Sequence, residues 1–360
     1  MDRPSHIIDP EGEVIIVLRN ANSPFAPDDY DDMNEEMNSL KLSETCEGQP
    51  NEQPDEKRLA EEQPSETPIE DAHLSETPDG KCFHIQVSAK HLIFASPVFR
   101  NILTGGWKES VAYLSKGSVE ITAENWDIRA LLIFLRAIHG QQSQIPRKLS
   151  LEMLAKVAVL INYYDCKDSV SILTDLWINS LEESIPTTYS RDVMLWIWVS
   201  QFFKLSSHFK ASTSNAMSQC DGWISSRGLP IPERIIRSMN ERRNGAIEKA
   251  FARLHKIRED LLNGTRGCDF ECRSMIYGAL TLGMHSQNLL SSTLAAPFQG
   301  LSYQSLLQKV KSFNSPKWNH RGNYMYDECR PSFFNTLAGE LNGCIGGLDI
   351  DSRFKFPLFR

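Results

Sequence analysis

The chain has 360 residues, enough for two or three domains, and its 41% hydrophobic and 23% charged residues are typical of a soluble globular protein. The net charge of −8 is unevenly placed, because residues 28–79 carry 18 acidic and three basic side chains, a net charge of −15. The remaining residues therefore have a net charge of +7. The most apolar run, residues 193–203, has about half of the ~20 residues that a membrane span requires, so it predicts a buried helix instead.

The cysteines and the first residues of the chain indicate the compartment. Eight cysteines are mostly scattered singly through apolar stretches, a usage typical of free thiols in a reducing environment. The opening sequence MDRPSHIIDP contains no apolar signal-peptide segment. We therefore expect an intracellular protein, located in the cytoplasm, the nucleus or both.

Two strand patterns flank the acidic segment. Residues 14–18 are a β-rich run, and residues 83–87 alternate as a half-buried strand does. Residues 23–79 between them are rich in Asp, Glu, Pro, Gln, Ser and Asn, a composition that buries too little apolar surface to offset the entropy of ordering. We predict a disordered loop there. Thr67 and Thr77 each precede a proline, so the loop is either a phosphorylation target or an inert solvated segment.

The stretch after the second strand predicts a pair of short helices. Ser88 can cap the first helix, and Ser96 followed by Pro97 predicts the start of the second. Gly105 and Gly106 end it. Further along, the patterns predict a third strand and then three helices; these elements cover residues 117–121, 124–138, 149–164 and 165–181.

The order strand, helix, S-P-V-F-R, helix and G-G-W-K-E-S resembles the BTB (POZ) domain, in the version seen in fungal BTB proteins. The resemblance covers residues 8–182 with the acidic insert excluded, and it implies an α/β (α+β) fold in which helices cover a small mixed sheet. From residue 186 the pattern is helical, and residues 268–280 resemble the all-α region that follows the BTB domain in many fungal proteins. We divide the chain into residues 1–22 (first BTB strand), 23–79 (acidic insert), 80–184 (remaining BTB domain) and 185–360 (helical C-terminal domain).

The resemblance implies protein–protein interaction rather than catalysis. The sequence contains no G-x-S-x-G, P-loop, H-E-x-x-H or dinucleotide fingerprint, so we do not expect an enzyme. Trp107 and Glu109 stand where BTB adaptors carry a hydrophobic-x-Glu triplet that docks a cullin, which implies a substrate adaptor of a cullin ubiquitin ligase as an alternative. The other interpretation of the triplet is a turn without a cullin role.

The residues before Val14 leave the homodimer question open. Many BTB dimers use an N-terminal helix ahead of the first strand. Only about a dozen residues precede Val14 here, and Pro4 and Pro10 lie among them, so the sequence departs from that pattern.

A possible metal site lies in the C-terminal half. Cys268 and Cys272 are four residues apart, so on a helix they would project from one side, and His320 with Cys329 would complete a tetrahedral zinc set. This hypothesis leads to a second alternative function, a nuclear regulatory protein with a zinc-stabilised helical domain. Two buried free thiols would show the same spacing. The basic residues between 234 and 258 alternate with acidic ones, which favours a solvated helix face over nucleic-acid binding.

Overall fold

The computed structural model of the chain describes residues 3–27, 82–290, 295–316, 332–342 and 345–350. The strands in these residues are β1 (His6–Ile7), β2 (Val14–Arg19), β3 (Phe83–Val87) and β4 (Val119–Glu124). The helices are α1 (Ala89–Ala95), α2 (Pro97–Thr104), α3 (Lys108–Lys116), α4 (Ile128–Ile138), α5 (Leu151–Tyr163), α6 (Ser171–Asn179), α7 (Arg191–Phe202), α8 (Ser206–Gln219), α9 (Glu233–Asn263), α10 (Phe270–Ser286), α11 (Tyr303–Lys311) and α12 (Phe333–Leu341). The described part is thus a mostly helical α/β structure.

One small mixed sheet joins the segments on both sides of the acidic insert. Its strand order is β1-β3-β2-β4, with β2 antiparallel to β3 and parallel to β4. Ile16 of β2 lies opposite Ile85 of β3, so the predicted strands are direct neighbours. The prediction of a small mixed sheet covered by helices is confirmed.

The predicted starts of α1 and α2 are correct, but only one of the two predicted caps forms. Ser96 Oγ accepts the Phe99 N–H at 3.1 Å, and Pro97 is the first residue of α2. Ser88 precedes α1 without a capping hydrogen bond from its side chain. A carboxylate oxygen of Glu13 accepts the Ala89 N–H at 3.1 Å instead, so the cap comes from the strand region rather than from the adjacent residue.

The boundaries of β4 and α4 differ from the sequence prediction. The sequence predicts a helix from residue 124, whereas Glu124 is the last residue of β4 and α4 begins at Ile128. The physical reason is the Asp127 carboxylate, which accepts the N–H groups of Arg129 at 2.9 Å and Ala130 at 3.0 Å and so caps the helix at that point.

A first hydrophobic core extends from the sheet through α1–α8 and into the start of α9. Helix α7 is buried along nearly its whole length, as its apolar run predicts, and Trp198 Nε1 donates to the Ala155 carbonyl at 3.2 Å. This core continues across the predicted boundary at residues 184 and 185, and the division into domains stays a prediction. Among the residues that the structure describes, none of the helices combines the length and apolar character needed to cross a bilayer.

A second core lies on the later part of α9 and on α10, α11 and α12. Met239 of α9 belongs to the first core, whereas Ile247 and Leu254 belong to the second. The same 31-residue helix therefore supports both cores. It ends at Gly264, which takes up a left-handed conformation with φ of 78°.

The chain entering the acidic insert is held by arginines of the helical region. Arg191 Nη2 donates to the Phe25 carbonyl at 2.9 Å and Nε to the Ala26 carbonyl at 3.0 Å. Arg227 Nη1 donates to the Pro27 carbonyl at 2.9 Å. Residues 23–27 of the predicted insert thus contact the folded body, while the predicted disorder and phosphorylation sites of residues 28–79 lie outside the described residues.

Candidate functional site

Helix α3 exposes apolar side chains along one face. Trp107, the residue before its first turn, is 65% exposed, Val111 is 60% exposed and Leu114 is 74% exposed. Positions i, i+4 and i+7 share one side of a helix, so these residues form a continuous surface that we call the α3 stripe. Ser110 is fully buried one turn from both Trp107 and Leu114, and Ala112 and Tyr113 pack against the first core. The helix therefore buries a serine while it leaves three large apolar side chains exposed, which is typical of a surface that another molecule covers.

An open groove lies beside the α3 stripe. Its volume is about 720 Å³, and its walls come from α2, from the turn before α3 and from β4. The lining residues are Val98, Asn101, Ile102, Gly105, Trp107, Glu109, Ile121 and Thr122. Val98 and Ile102 are half-buried at the groove and pack against the first core.

The two glycines before Trp107 allow its position. A Cβ atom on Gly105 would lie 2.4 Å from the Asn101 carbonyl oxygen and 3.3 Å from the Trp107 ring, so a larger residue would not fit. Gly106 has φ of 84°, a conformation that side chains disfavour. The G-G-W sequence thus turns the chain sharply and brings the indole to the mouth of the groove.

The groove has a negative side chain at its wall. Glu109 is half-buried and lies in the first turn of α3, where the helix dipole favours a carboxylate. Glu120 and Glu124 are exposed on the neighbouring strand β4. Within the described residues none of these three carboxylates forms an ion pair. The arrangement can hold an apolar side chain and a cation side by side.

The structure brings the two predicted partner-binding residues, Trp107 and Glu109, to one groove. Sequence reasoning missed Val111 and Leu114. The available signal was their helical spacing from Trp107, but an apolar stripe normally predicts burial.

The predicted zinc ligands are only partly described. Helix α10 begins at Phe270 with Asp269 as its cap, so Cys268 precedes the helix while Cys272 is buried in its first turn. The expectation that both thiols project from one side of a helix is therefore wrong. His320 and Cys329 lie outside the described residues, and no group of three metal-binding side chains occurs within them. The zinc set stays a prediction.

The prediction that the basic residues of α9 lie on a solvated face is wrong for one residue. Arg243 is fully buried, whereas Arg237, Arg242 and Lys249 are exposed. Lys256 Nζ lies 2.9 Å from Asp260 Oδ1, an i,i+4 pair of the predicted kind. The spacing of Arg243 from the buried positions of α9 was the signal that it faces inward.

The first core contains two buried thiols, Cys166 and Cys220. Cys166 is 2% exposed, and burial raises its pKa above the ordinary range. The thiol therefore stays protonated at neutral pH.

Comparison of the chain with models of protein families, with curated proteins and with solved structures finds no match.

Proposed function

We propose that this chain is a BTB/POZ-type protein that binds other proteins without catalysing a reaction, and that it binds them through the α3 stripe and the adjoining groove. The observation that carries the proposal is the exposure of Trp107, Val111 and Leu114 on one face of α3. Burying apolar surface contributes about 25 cal/mol per Å², and Trp is one of the residue types that are enriched at binding hot spots.

The fold supports the family part of the proposal. The resemblance implies one sheet built from residues on both sides of the acidic insert, and Ile16 and Ile85 are opposite each other in such a sheet. The resemblance also implies a helix pair after the strand of residues 83–87 and before the next strand, and α1 and α2 lie there, between β3 and β4.

Affinity purification of the tagged full chain from its source cells tests the proposal. The variant combines Trp107→Ala, Val111→Ala and Leu114→Ala. We expect the amount of each specific partner recovered with it to be at least about tenfold lower than with the unchanged protein, since each exposed anchor contributes on the order of 1 kcal/mol or more to binding. Leu262→Ala is the matched control, because Leu262 is 69% exposed on α9, away from the groove. Equal recovery by the triple variant would contradict the proposal.

A narrower candidate is a substrate adaptor of a cullin-based ubiquitin ligase. The observation that favours it is that Trp107 and Glu109 both line the groove, so that an apolar anchor and an orienting carboxylate are presented together. The test is recovery of cullin with the full chain. Cullin that binds the unchanged protein but not the variant Trp107→Ala with Glu109→Ala supports the candidate. Binding that survives the double variant rejects this docking site, and no binding at all rejects the adaptor class.

A further inference from the structure

The two edges of the sheet differ in a way that matters for binding. The edge strand β1 has only two residues, whereas β4 at the opposite edge has six and pairs with β2 alone among the described strands. Short edge strands offer little to pair with, while a longer edge strand presents a row of main-chain donors and acceptors. β4 is therefore the edge to which another strand can be added.

The hydrogen bonds of β4 show which of its main-chain groups face outward. The N–H groups of Val119 and Asn125 donate to the Glu13 and Arg19 carbonyls at 3.0 Å each. Because the direction of main-chain groups alternates along a strand, the groups of Glu120, Thr122 and Glu124 point away from β2. These are the groups that an added strand would meet.

The groove runs beside this open edge. Ile121 and Thr122 form its wall on the side of β4, and Val98, Ile102 and Trp107 provide the apolar surface on the other side. A segment that lies in the groove therefore meets the outward main chain of Thr122 and, at the same time, an apolar wall for alternate side chains.

Charge selects the kind of segment that fits. Glu120 and Glu124 are exposed on the outer face of β4, and Glu109 lies in the groove. Like charges directly opposite each other in a sheet are destabilising, so these glutamates disfavour acidic strands and also the edge-to-edge pairing of two β4 strands. Lysine or arginine at alternate positions of the added segment would be attracted by these glutamates and would strengthen its binding.

We propose that the groove binds an extended segment of another protein, which pairs with β4 as a fifth strand. Apolar side chains of that segment face Val98, Ile102 and Trp107, and Lys or Arg side chains at the intervening positions face Glu120 and Glu124. The inference rests on the proposed binding function, because Trp107 belongs both to the α3 stripe and to the groove.

The test starts from a library of random 12-residue peptides displayed on phage and selected on the immobilised full chain. The most enriched peptide is synthesised, and its affinity is measured by fluorescence polarisation. We expect apolar and basic residues to alternate in it, and we expect binding to be at least about tenfold weaker to Trp107→Ala. A library that yields no such peptide, or a peptide that binds Trp107→Ala equally well, overturns the proposal.

Methylation of single backbone nitrogens of this peptide distinguishes strand pairing from other modes of docking. A methyl group removes one N–H donor, so we expect about tenfold weaker binding at every second residue and little change at the residues between them. Uniform tolerance of methylation overturns strand pairing. If uniform tolerance is found while the triple α3 variant still loses its cellular partners, the inference fails and the proposed function stands.

Charge reversal tests the selectivity. Glu120→Lys with Glu124→Lys should weaken binding of the basic peptide about tenfold, since it replaces attraction by repulsion at two positions. Glu241→Lys on the exposed side of α9 is the control and should leave the affinity unchanged. Equal effects of the β4 and α9 reversals would overturn the charge assignment.

Discussion

The buried guanidinium of Arg243 gives the sharpest test of how the helical region is held together. All five of its N–H donors are used. Nε donates to the Cys220 carbonyl at 2.9 Å, and Nη1 donates to the Asn244 side chain at 3.0 Å. The other three donors reach the loop at residues 297–301. Four of the five acceptors are main-chain carbonyls, so one side chain joins two separate loops to α9.

Replacing Arg243 by methionine keeps an unbranched chain but removes every donor. The Phe298 carbonyl would keep the Leu301 N–H as a donor at 3.1 Å, whereas the other three carbonyls would lose theirs. Each such carbonyl costs about 1–3 kcal/mol, so the three would cost about 3–9 kcal/mol if the effects added. Removing the guanidinium also removes its desolvation cost, which is several kcal/mol for a buried ion. Burial lowers the pKa of Arg243, in keeping with such a cost. Because the two contributions offset each other in part, we expect the variant to lose about 3–5 kcal/mol of stability.

Urea denaturation of the full chain, followed by circular dichroism, measures this loss. Arg242→Met is the matched control: Arg242 is the exposed neighbour on the same helix, and its replacement should change the unfolding free energy by less than about 0.5 kcal/mol. Arg243→Lys should lie between the two, because an ammonium has three donors instead of five. A loss for Arg243→Met below about 1 kcal/mol would refute the reasoning.

Three further predictions concern other parts of the molecule. Burial, with a smaller contribution from His91, lowers the pKa of His139 from 6.5, and His139 Nε2 accepts the Ser88 N–H at 3.1 Å. The unfolded chain therefore takes up the proton first, so we expect stability to be complete above pH 6.5 and to fall, by at most about 1.4 kcal/mol per unit, as the pH drops below it; urea titrations of His139→Gln should lack this slope. Arg191→Ala should lower the free energy of unfolding by about 2 kcal/mol in urea denaturation, because the carbonyls of Phe25 and Ala26 at the start of the acidic insert lose their donor. Trp107→Ala should shift the thermal midpoint by less than about 2 °C, because its indole is mostly exposed.

Each of these predictions has an outcome that contradicts it. A slope that persists in His139→Gln would contradict the assignment to His139, and it would point to His6 or His255, whose pKa values burial also lowers. For Arg191, the control is Lys210→Ala, which removes an exposed ion pair with Asp349 and should cost little. A large drop in the thermal midpoint of Trp107→Ala would contradict the third prediction, because it would mean that the indole stabilises the fold.

Part of the sheet could be predicted from local pattern and part could not. Alternation within residues 83–87 and the β-rich run of residues 14–18 indicate strands without further information. That these strands pair across the acidic insert follows from the resemblance and not from periodicity, because periodicity contains no information about distant partners. β2 lies between β3 and β4 and is buried along most of its length.

The candidate site was predictable only in outline. The motif places Trp107 and Glu109, but whether the apolar positions of a helix face the core or the solvent depends on what packs against it. Ser110 is buried and Ala112 and Tyr113 pack against the first core, while Val111 and Leu114 stay exposed. Arg243 is the converse case, since composition assigns an arginine to the surface whereas its spacing on α9 places it in the core.

Amide hydrogen exchange of the full chain, measured alone and with the most abundant partner recovered by affinity purification, is the most direct test of the binding face. The account predicts slower exchange on binding within residues 105–124, where the turn, α3 and β4 lie, and unchanged exchange along α9. Slower exchange confined to other parts of the chain, with residues 105–124 unaffected, would contradict it.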